Sequence, residues 1–194
     1  MRTSEIKRKT NETDISVTVN IDGSGKSYIQ TGIGFFDHML CLFAKHSLMD
    51  IDITCNGDTF IDCHHTVEDV GITLGQALKD ALGEKKSIAR YGTCFLPMDE
   101  ALAMVSLDIS GRSYLVFDAE FNTPKLGDFD TEMVEDFFQA FSSACGITLH
   151  VKVKYGRNTH HIIEAIFKAF AKAMDKATII DTRVSGVPST KGVL

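Results

Sequence analysis

Between Ile15 and Ile21 every second residue is apolar (Ile15, Val17, Val19, Ile21), the pattern of a strand with one face buried and one in water. Ala101 to Ile109 has the same strand character. Elsewhere the period becomes helical. Val67, Val70, Leu74 and Leu78 recur at intervals of three, four and four, and Ile163, Ile166/Phe167, Phe170 and Met174 do the same. Each set predicts a helix with an apolar stripe, and Asp62 and Asn158/Thr159 stand just ahead as candidate N-caps. Phe36 to Lys45 and Glu132 to Ala144 predict two more helices, and Asp50 to Cys55 and Ile147 to Val153 two more strands. Gly23-Ser24-Gly25 and Ser110-Gly111 fall between strand candidates and read as hairpin turns.

These elements come in the same order twice. Asp22-Gly23-Ser24-Gly25-Lys26-Ser27-Tyr28 matches Asp108-Ile109-Ser110-Gly111-Arg112-Ser113-Tyr114, 86 positions on. His64-His65-Thr66-Val67-Glu68 matches His160-His161-Ile162-Ile163-Glu164, 96 positions on. The growing offset predicts one duplication with an insertion, placed in the loop-like stretch Glu120 to Thr131. The expected fold is therefore α+β, a tandem β-β-α-β-α half whose two sheets each carry helices on one face. The repeats span roughly 1–88 and 89–180, in a single domain over 1–194 with a Gly/Pro/Ser-containing tail over 181–194.

Composition narrows the partners. Five scattered cysteines without a C-x-x-C pair argue for reduced thiols in a cytoplasmic protein, and against a disulfide framework. The charged start, Met1 to Lys9, runs into polar residues rather than an apolar stretch, so neither a secretory signal nor a membrane span is expected. A net charge of −6 disfavours nucleic acid.

The histidine motifs carry the chemistry. On a helix, residues i and i+4 share a face, so His64 with Glu68, and His160 with Glu164, can each grip one ion. His65 and His161 point roughly 100° away and are expected to cross to the ion held by the other repeat. Imidazole and carboxylate without thiolate suit Mn²⁺, Fe²⁺ or Zn²⁺. A lone His-His-x-x-Glu is better explained as a solvated helix start, but two copies in equivalent places of a duplicated chain are not. Three further histidines compete for the remaining positions: His38 after Asp37, His46 at a helix end, and His150 inside the apolar run Ile147 to Val151.

Several segments together are specific. Gly32-Ile33-Gly34-Phe35-Phe36-Asp37-His38-Met39-Leu40, both histidine motifs, Asp108-Ile109-Ser110-Gly111-Arg112 and Pro188-Ser189-Thr190-Lys191-Gly192 run nearly from end to end of the chain. In these segments the sequence resembles the imidazoleglycerol-phosphate dehydratases. The resemblance implies halves of the ribosomal-protein-S5-domain-2-like kind and a metal-dependent hydro-lyase of histidine biosynthesis. It also implies two Mn²⁺ per subunit and a homo-oligomer, in the family a particle of 24 subunits with active sites at subunit contacts. Family members typically have Asp-Gln where this chain has Cys41-Leu42, Gly where Ser47 stands and Pro where Ser113 stands.

By the same resemblance the metal ligands are His38, His64, His65, Glu68, His150, His160, His161 and Glu164. Helix geometry pairs them as His64, Glu68, His150 and His161 on one ion, and His38, His65, His160 and Glu164 on the other. The implied reaction dehydrates D-erythro-imidazole-glycerol phosphate to imidazole-acetol phosphate through a substrate imidazolate held by both ions. Glu12 is the expected base and His46 its neighbour at the substrate. Arg90, Arg112, Ser189, Thr190 and Lys191 are the expected contacts of the phosphomonoester. Asp99-Glu100 reads as a strand entrance.

Two rival classes are weaker. Ferritin-like dinuclear oxidases hold their ions in four-helix bundles, whereas strands and helices alternate here. An RNA-binding module of S5-like halves would need a basic, aromatic-laced stripe, and this chain has none.

Overall fold

Two four-stranded sheets form the outer layers of the molecule, and four helices fill the space between them. The structure, a computed structural model, describes residues 1–194. The first half contributes β1 (Thr3–Lys9), β2 (Thr13–Asn20), β3 (Ser27–Gln30), α1 (Gly34–Ser47), β4 (Asp50–Gly57) and α2 (His64–Leu82). The second contributes β5 (Tyr91–Met98), β6 (Ala101–Asp108), β7 (Tyr114–Asp118), the short pair β8 (Lys125–Leu126) and β9 (Phe129–Asp130), α3 (Met133–Cys145), β10 (Thr148–Tyr155) and α4 (Thr159–Thr178). The sheet orders are β1-β2-β4-β3 and β5-β6-β10-β7. The repeat holds in three dimensions, and the fold is α+β as expected.

Each half opens on one strand more than the periodicity showed. β1 carries Ile6 as its one large apolar residue, and it pairs antiparallel with β2 from Thr3 opposite Asn20 to Lys9 opposite Asp14. An edge strand facing water on one side needs little hydrophobicity, and its charges help keep that edge from pairing with another chain.

The expected hairpins at Gly23 and Ser110 are corrected. β3 pairs not with β2 but in parallel with β4, and β7 lies parallel to β10. The turn after β2 therefore crosses the end of β4, and Asp50 holds it there: its Oδ1 accepts the Ser24 and Lys26 N–H groups at 2.8 and 2.9 Å. Gly23 is required at this crossing, because a Cβ would lie 2.4 Å from the Asp50 nitrogen. The inserted stretch is not bare loop; it folds into the β8–β9 hairpin.

Helices of one half pack on helices of the other, α1 against α4 and α2 against α3. Gly71 and Gly75 let α2 approach α3 closely, since a Cβ on Gly75 would stand 2.7 Å from the Phe141 carbonyl oxygen. Phenylalanines fill the seam, with Phe43 stacked on Phe170 at 5.0 Å and Phe137 on Phe167 at 5.4 Å. The apolar core is continuous across both halves, and Leu42 packs against it. No helix is long and apolar enough to cross a membrane.

Candidate metal and phosphate sites

All four helices begin with chemistry. Asp37 reaches back from the first turn of α1 and accepts from the Thr31 N–H and hydroxyl at 2.9 and 2.5 Å, which fixes the lead-in beside His38. Asn158 caps α4, its Oδ1 accepting from His160 and His161 N–H at 2.9 and 3.4 Å. At α2 the cap position falls to Cys63 rather than Asp62, yet Asp62 Oδ1 still accepts the His64 N–H at 2.8 Å.

His38, His160 and Glu164 converge, with ligand atoms all within 4.8 Å of one another. Glu164 Oε2 lies 3.2 Å from His160 Nε2 and 3.8 Å from His38 Nε2. Its other oxygen takes Lys168 Nζ at 2.5 Å. One carboxylate oxygen is thus held by a lysine while the other faces two imidazoles, a donor set that suits a divalent ion. Burial pushes the Glu164 carboxyl up, but Lys168, His38 and His160 outweigh it and hold it below its ordinary range. Lys168 was not found by sequence reasoning; its i+4 spacing from Glu164 was the available signal.

A second, looser group lies at the α2–α3 contact. His64 Nε2 is 3.9 Å from Glu68 Oε2, and His64 Nδ1 is 4.0 Å from Asp136 Oδ2. All three line one cavity of about 420 Å³. Asp136 was also missed. Its signal lies in the duplication: α1 buries Phe36, Met39, Leu40, Phe43, Ala44 and Ser47, and α3 buries Val134, Phe137, Phe138, Phe141, Ser142 and Cys145. With those helices superposed, Asp136 falls on His38.

The other expected ligands lie apart from these groups. His65 Nδ1 is 3.0 Å from Asp58 Oδ2, and its Nε2 is 3.8 Å from Glu12 Oε1. His161 Nδ1 is 2.7 Å from Glu100 Oε2, and its Nε2 is 3.7 Å from Asp99 Oδ2. The neighbouring carboxylate raises each imidazole above its ordinary value, and Glu100 is lowered to about 2 by His161 and by the Asn158 N–H. Asp99-Glu100, expected as a strand entrance, is the turn into β6 and also the partner of a motif histidine. His150 is brought to neither group. Strand alternation turns Leu149 and Val151 inward and leaves His150 exposed on the outer face of the sheet, between Ser106 and Val116.

Glu12 lines a cleft of about 440 Å³ beside Asp58 and Phe60. Its turn is tied down: Thr10 Oγ1 accepts the Glu12 and Thr13 N–H groups, and the Glu12 carbonyl accepts the Asp58 N–H at 3.1 Å. His46 sits two turns along α1 from His38; burial, with Lys168 and Lys172, holds it below its ordinary value.

The expected phosphate contacts come together. Arg90, Arg112, Ser189, Thr190 and Lys191 line one cavity of about 730 Å³. Arg90 is anchored on Asp108 at 2.7 Å and donates to the Pro188 carbonyl at 2.8 Å. Its backbone is left-handed (φ 73), a conformation that costs an L-residue energy and clusters at functional sites. Arg112 and Lys191 form no ion pair. This cavity lies at the far end of α4: the Arg90 N–H bonds the Ala177 carbonyl in the last turn, whereas His160 stands in the first. At 1.5 Å per residue the two ends of α4 are roughly 25 Å apart.

The profile of the imidazoleglycerol-phosphate dehydratase family matches residues 31–174. The imidazoleglycerol-phosphate dehydratase of Acetivibrio thermocellus is 66% identical over 193 residues, covering 100% of this chain and 99% of that protein. That of Clostridium novyi is 59% identical over 187 residues, covering 96% and 95%. The crystal structure of the Staphylococcus aureus dehydratase matches with a TM-score of 0.84 at 43% identity, covering 92% of this chain and 99% of that one. The Pyrococcus furiosus enzyme in complex with (S)-C348 matches with a TM-score of 0.85 at 38% identity, covering 97% and 100%. By sequence along its whole length and by fold, the chain belongs to the imidazoleglycerol-phosphate dehydratase family, hydro-lyases of histidine biosynthesis.

Proposed function

We propose that the family reaction, loss of water from imidazoleglycerol phosphate, runs here at a two-ion centre that no single subunit completes. The observation that carries this is the separation along α4. The His38–His160–Glu164 group and the arginine-lined cavity stand at opposite ends of a 20-residue helix, too far apart for one small phosphomonoester to touch both. Bringing the cavity of one copy to the metal group of another resolves this. The reading requires a homo-oligomer, with the family's 24-subunit particle as the expected form.

One ion would take His38, His160 and Glu164. The other would take His64, Glu68 and Asp136, with the facing imidazole turned to present one nitrogen. His65 and His161, unable to join either group in their own subunit, would supply the fourth donors to groups on a neighbour. Mn²⁺ is the expected metal on this imidazole and carboxylate set. The ions would supply Lewis acidity to the substrate's imidazole, easing loss of the proton on the carbon beside the ring.

The chain's own residues do the rest. Glu12, beside His65 on a turn fixed by Thr10, receives that proton. His46, held toward its neutral form, accepts or donates a hydrogen bond at the substrate hydroxyls. Arg112 and Lys191, free of internal ion pairs, take the phosphate, and Arg90 shapes the cavity from its anchor on Asp108. Five unpaired cysteines fit a reducing, cytoplasmic setting. The test is turnover of imidazoleglycerol phosphate by chelator-stripped protein titrated with Mn²⁺. Activity should level off at two ions per subunit; a plateau at one, or turnover without metal, would sink the two-ion reading.

A further inference from the structure

His65 and His161 share an arrangement that the other motif histidines lack. Each offers Nδ1 to a carboxylate at hydrogen-bond distance, Asp58 Oδ2 at 3.0 Å and Glu100 Oε2 at 2.7 Å. Each leaves Nε2 without a hydrogen bond, 3.8 Å from Glu12 and 3.7 Å from Asp99. His38 and His160 instead turn Nε2 toward Glu164.

Glu100 is held through its carboxylate and Asp58 through its backbone. Glu100 Oε1 accepts the Arg157 and Asn158 N–H groups at 3.1 and 2.7 Å, so it is clamped to the lead-in of α4. Asp58 is bonded through its N–H to the Glu12 carbonyl, and its Oδ1 is buried with no partner. Glu100 and Glu12 stand at equivalent places, each immediately before the second strand of its half. The arrangement is thus built twice with different parts: a glutamate from the β5–β6 turn serves α4, and an aspartate from the end of β4 serves α2.

We propose that Asp58 and Glu100 are positioning residues which hold the Nδ1 proton of His65 and His161, so that Nε2 of each imidazole carries the lone pair toward an ion bound by another subunit. A neutral imidazole has one donor and one acceptor nitrogen, and the bond at one fixes the role of the other. A carboxylate on the distal nitrogen also restrains the ring and raises its basicity as a ligand. Unlike a ligand, neither carboxylate touches the ion. The inference rests on the two-ion reading above.

Glu100→Gln separates the roles of the two oxygens. The amide keeps a carbonyl oxygen for the Arg157 and Asn158 N–H groups, but it places a donor where Nδ1–H needs an acceptor. Mn²⁺ affinity of the intact oligomer, followed by the EPR signal of free Mn²⁺, should fall about 10–100-fold for one of two ions per subunit. Asp58→Asn should do the same for the other ion. The control is Glu100→Gln in a His161→Ala background: if Glu100 acts through His161, it should cost no further affinity there. Unchanged affinity in Glu100→Gln, or an equal added loss without His161, would overturn the inference while leaving the two-ion centre standing. Wild-type protein that holds fewer than two ions would overturn both.

Discussion

Asp136 occupies on α3 the place that His38 occupies on α1: all six buried positions of α1 have a buried counterpart on α3, 98 residues on. Each faces the histidine and glutamate of a helix from the other half, His160 and Glu164 for His38, His64 and Glu68 for Asp136. The two groups differ in kind, two imidazoles and one carboxylate against one imidazole and two carboxylates.

Asp136→Ala should therefore lower Mn²⁺ affinity at one ion by at least about tenfold and leave the other in place, because a hard divalent ion loses an oxygen donor. His150→Ala, on the outer sheet face, should leave both ions bound. Metal analysis of both variants after dialysis at fixed free Mn²⁺ decides it. Two retained ions in Asp136→Ala and one in His150→Ala would make His150, not Asp136, the ligand.

That exchange shows where the sequence is informative. Helix periodicity around Val67 and Ile163, the double His-His-x-x-Glu and the grouping of Arg90, Arg112, Ser189, Thr190 and Lys191 around one cavity were legible because each is a local pattern or a family motif. Asp136 was not, because an aspartate in the first turn of a helix is ordinary and only packing against α2 gives it a histidine. β1 was hidden because one face of an edge strand meets water. The supposed hairpins failed because pairing partners are set by the whole sheet, and β4 inserts between β2 and β3. Glu100 read only as part of a strand entrance because its partner His161 lies 61 positions away.

Glu12→Gln should keep both ions and the assembly, since Glu12 is proposed as a base and not a ligand. Its kcat should drop about 10²–10⁴-fold, the usual worth of a positioned base, with substrate affinity within about tenfold. Single-turnover rates and metal content on one preparation check this. Near-wild-type turnover would move the base to His46 or elsewhere.

Arg112→Ala should act mainly on substrate binding. A hydrogen bond to a charged group contributes about 1.5–3 kcal/mol, so KM should rise about 10–100-fold. The kcat should change less, because the phosphate lies away from the reacting carbon. Inorganic phosphate should compete with substrate in the wild type and much more weakly in the variant.

Acid should loosen the turn at Asp181 and Arg183. Asp181 is held at about 2 by Arg183, through its side chain and then its backbone N–H, below an ordinary 3.8. A depressed carboxyl stabilises the fold above its unfolded value, so this contribution is complete above pH 3.8 and lost as pH falls toward about 2. Asp181 also bonds Ser87 ahead of the phosphate cavity. Hydrogen exchange at the Arg183 N–H, which Asp181 Oδ1 accepts, should accelerate across that window once corrected for the intrinsic rate. In Asp181→Ala it should already be fast at neutral pH; identical profiles would show that the carboxylate does not hold this turn.

Whether a working site joins the metal group of one subunit to the phosphate cavity of another can be read from subunit mixing. At substrate well below the wild-type KM, His160→Ala and Arg112→Ala should each be nearly inactive as pure oligomers, the first through lost metal and the second through its raised KM. When the two are dissociated, mixed in equal amounts and reassembled, random association gives sites with both parts intact, and activity should recover to about a quarter of wild type. Mixed oligomers, verified by mass, that stay as inactive as their parents would place both parts of the site in one subunit and contradict the account.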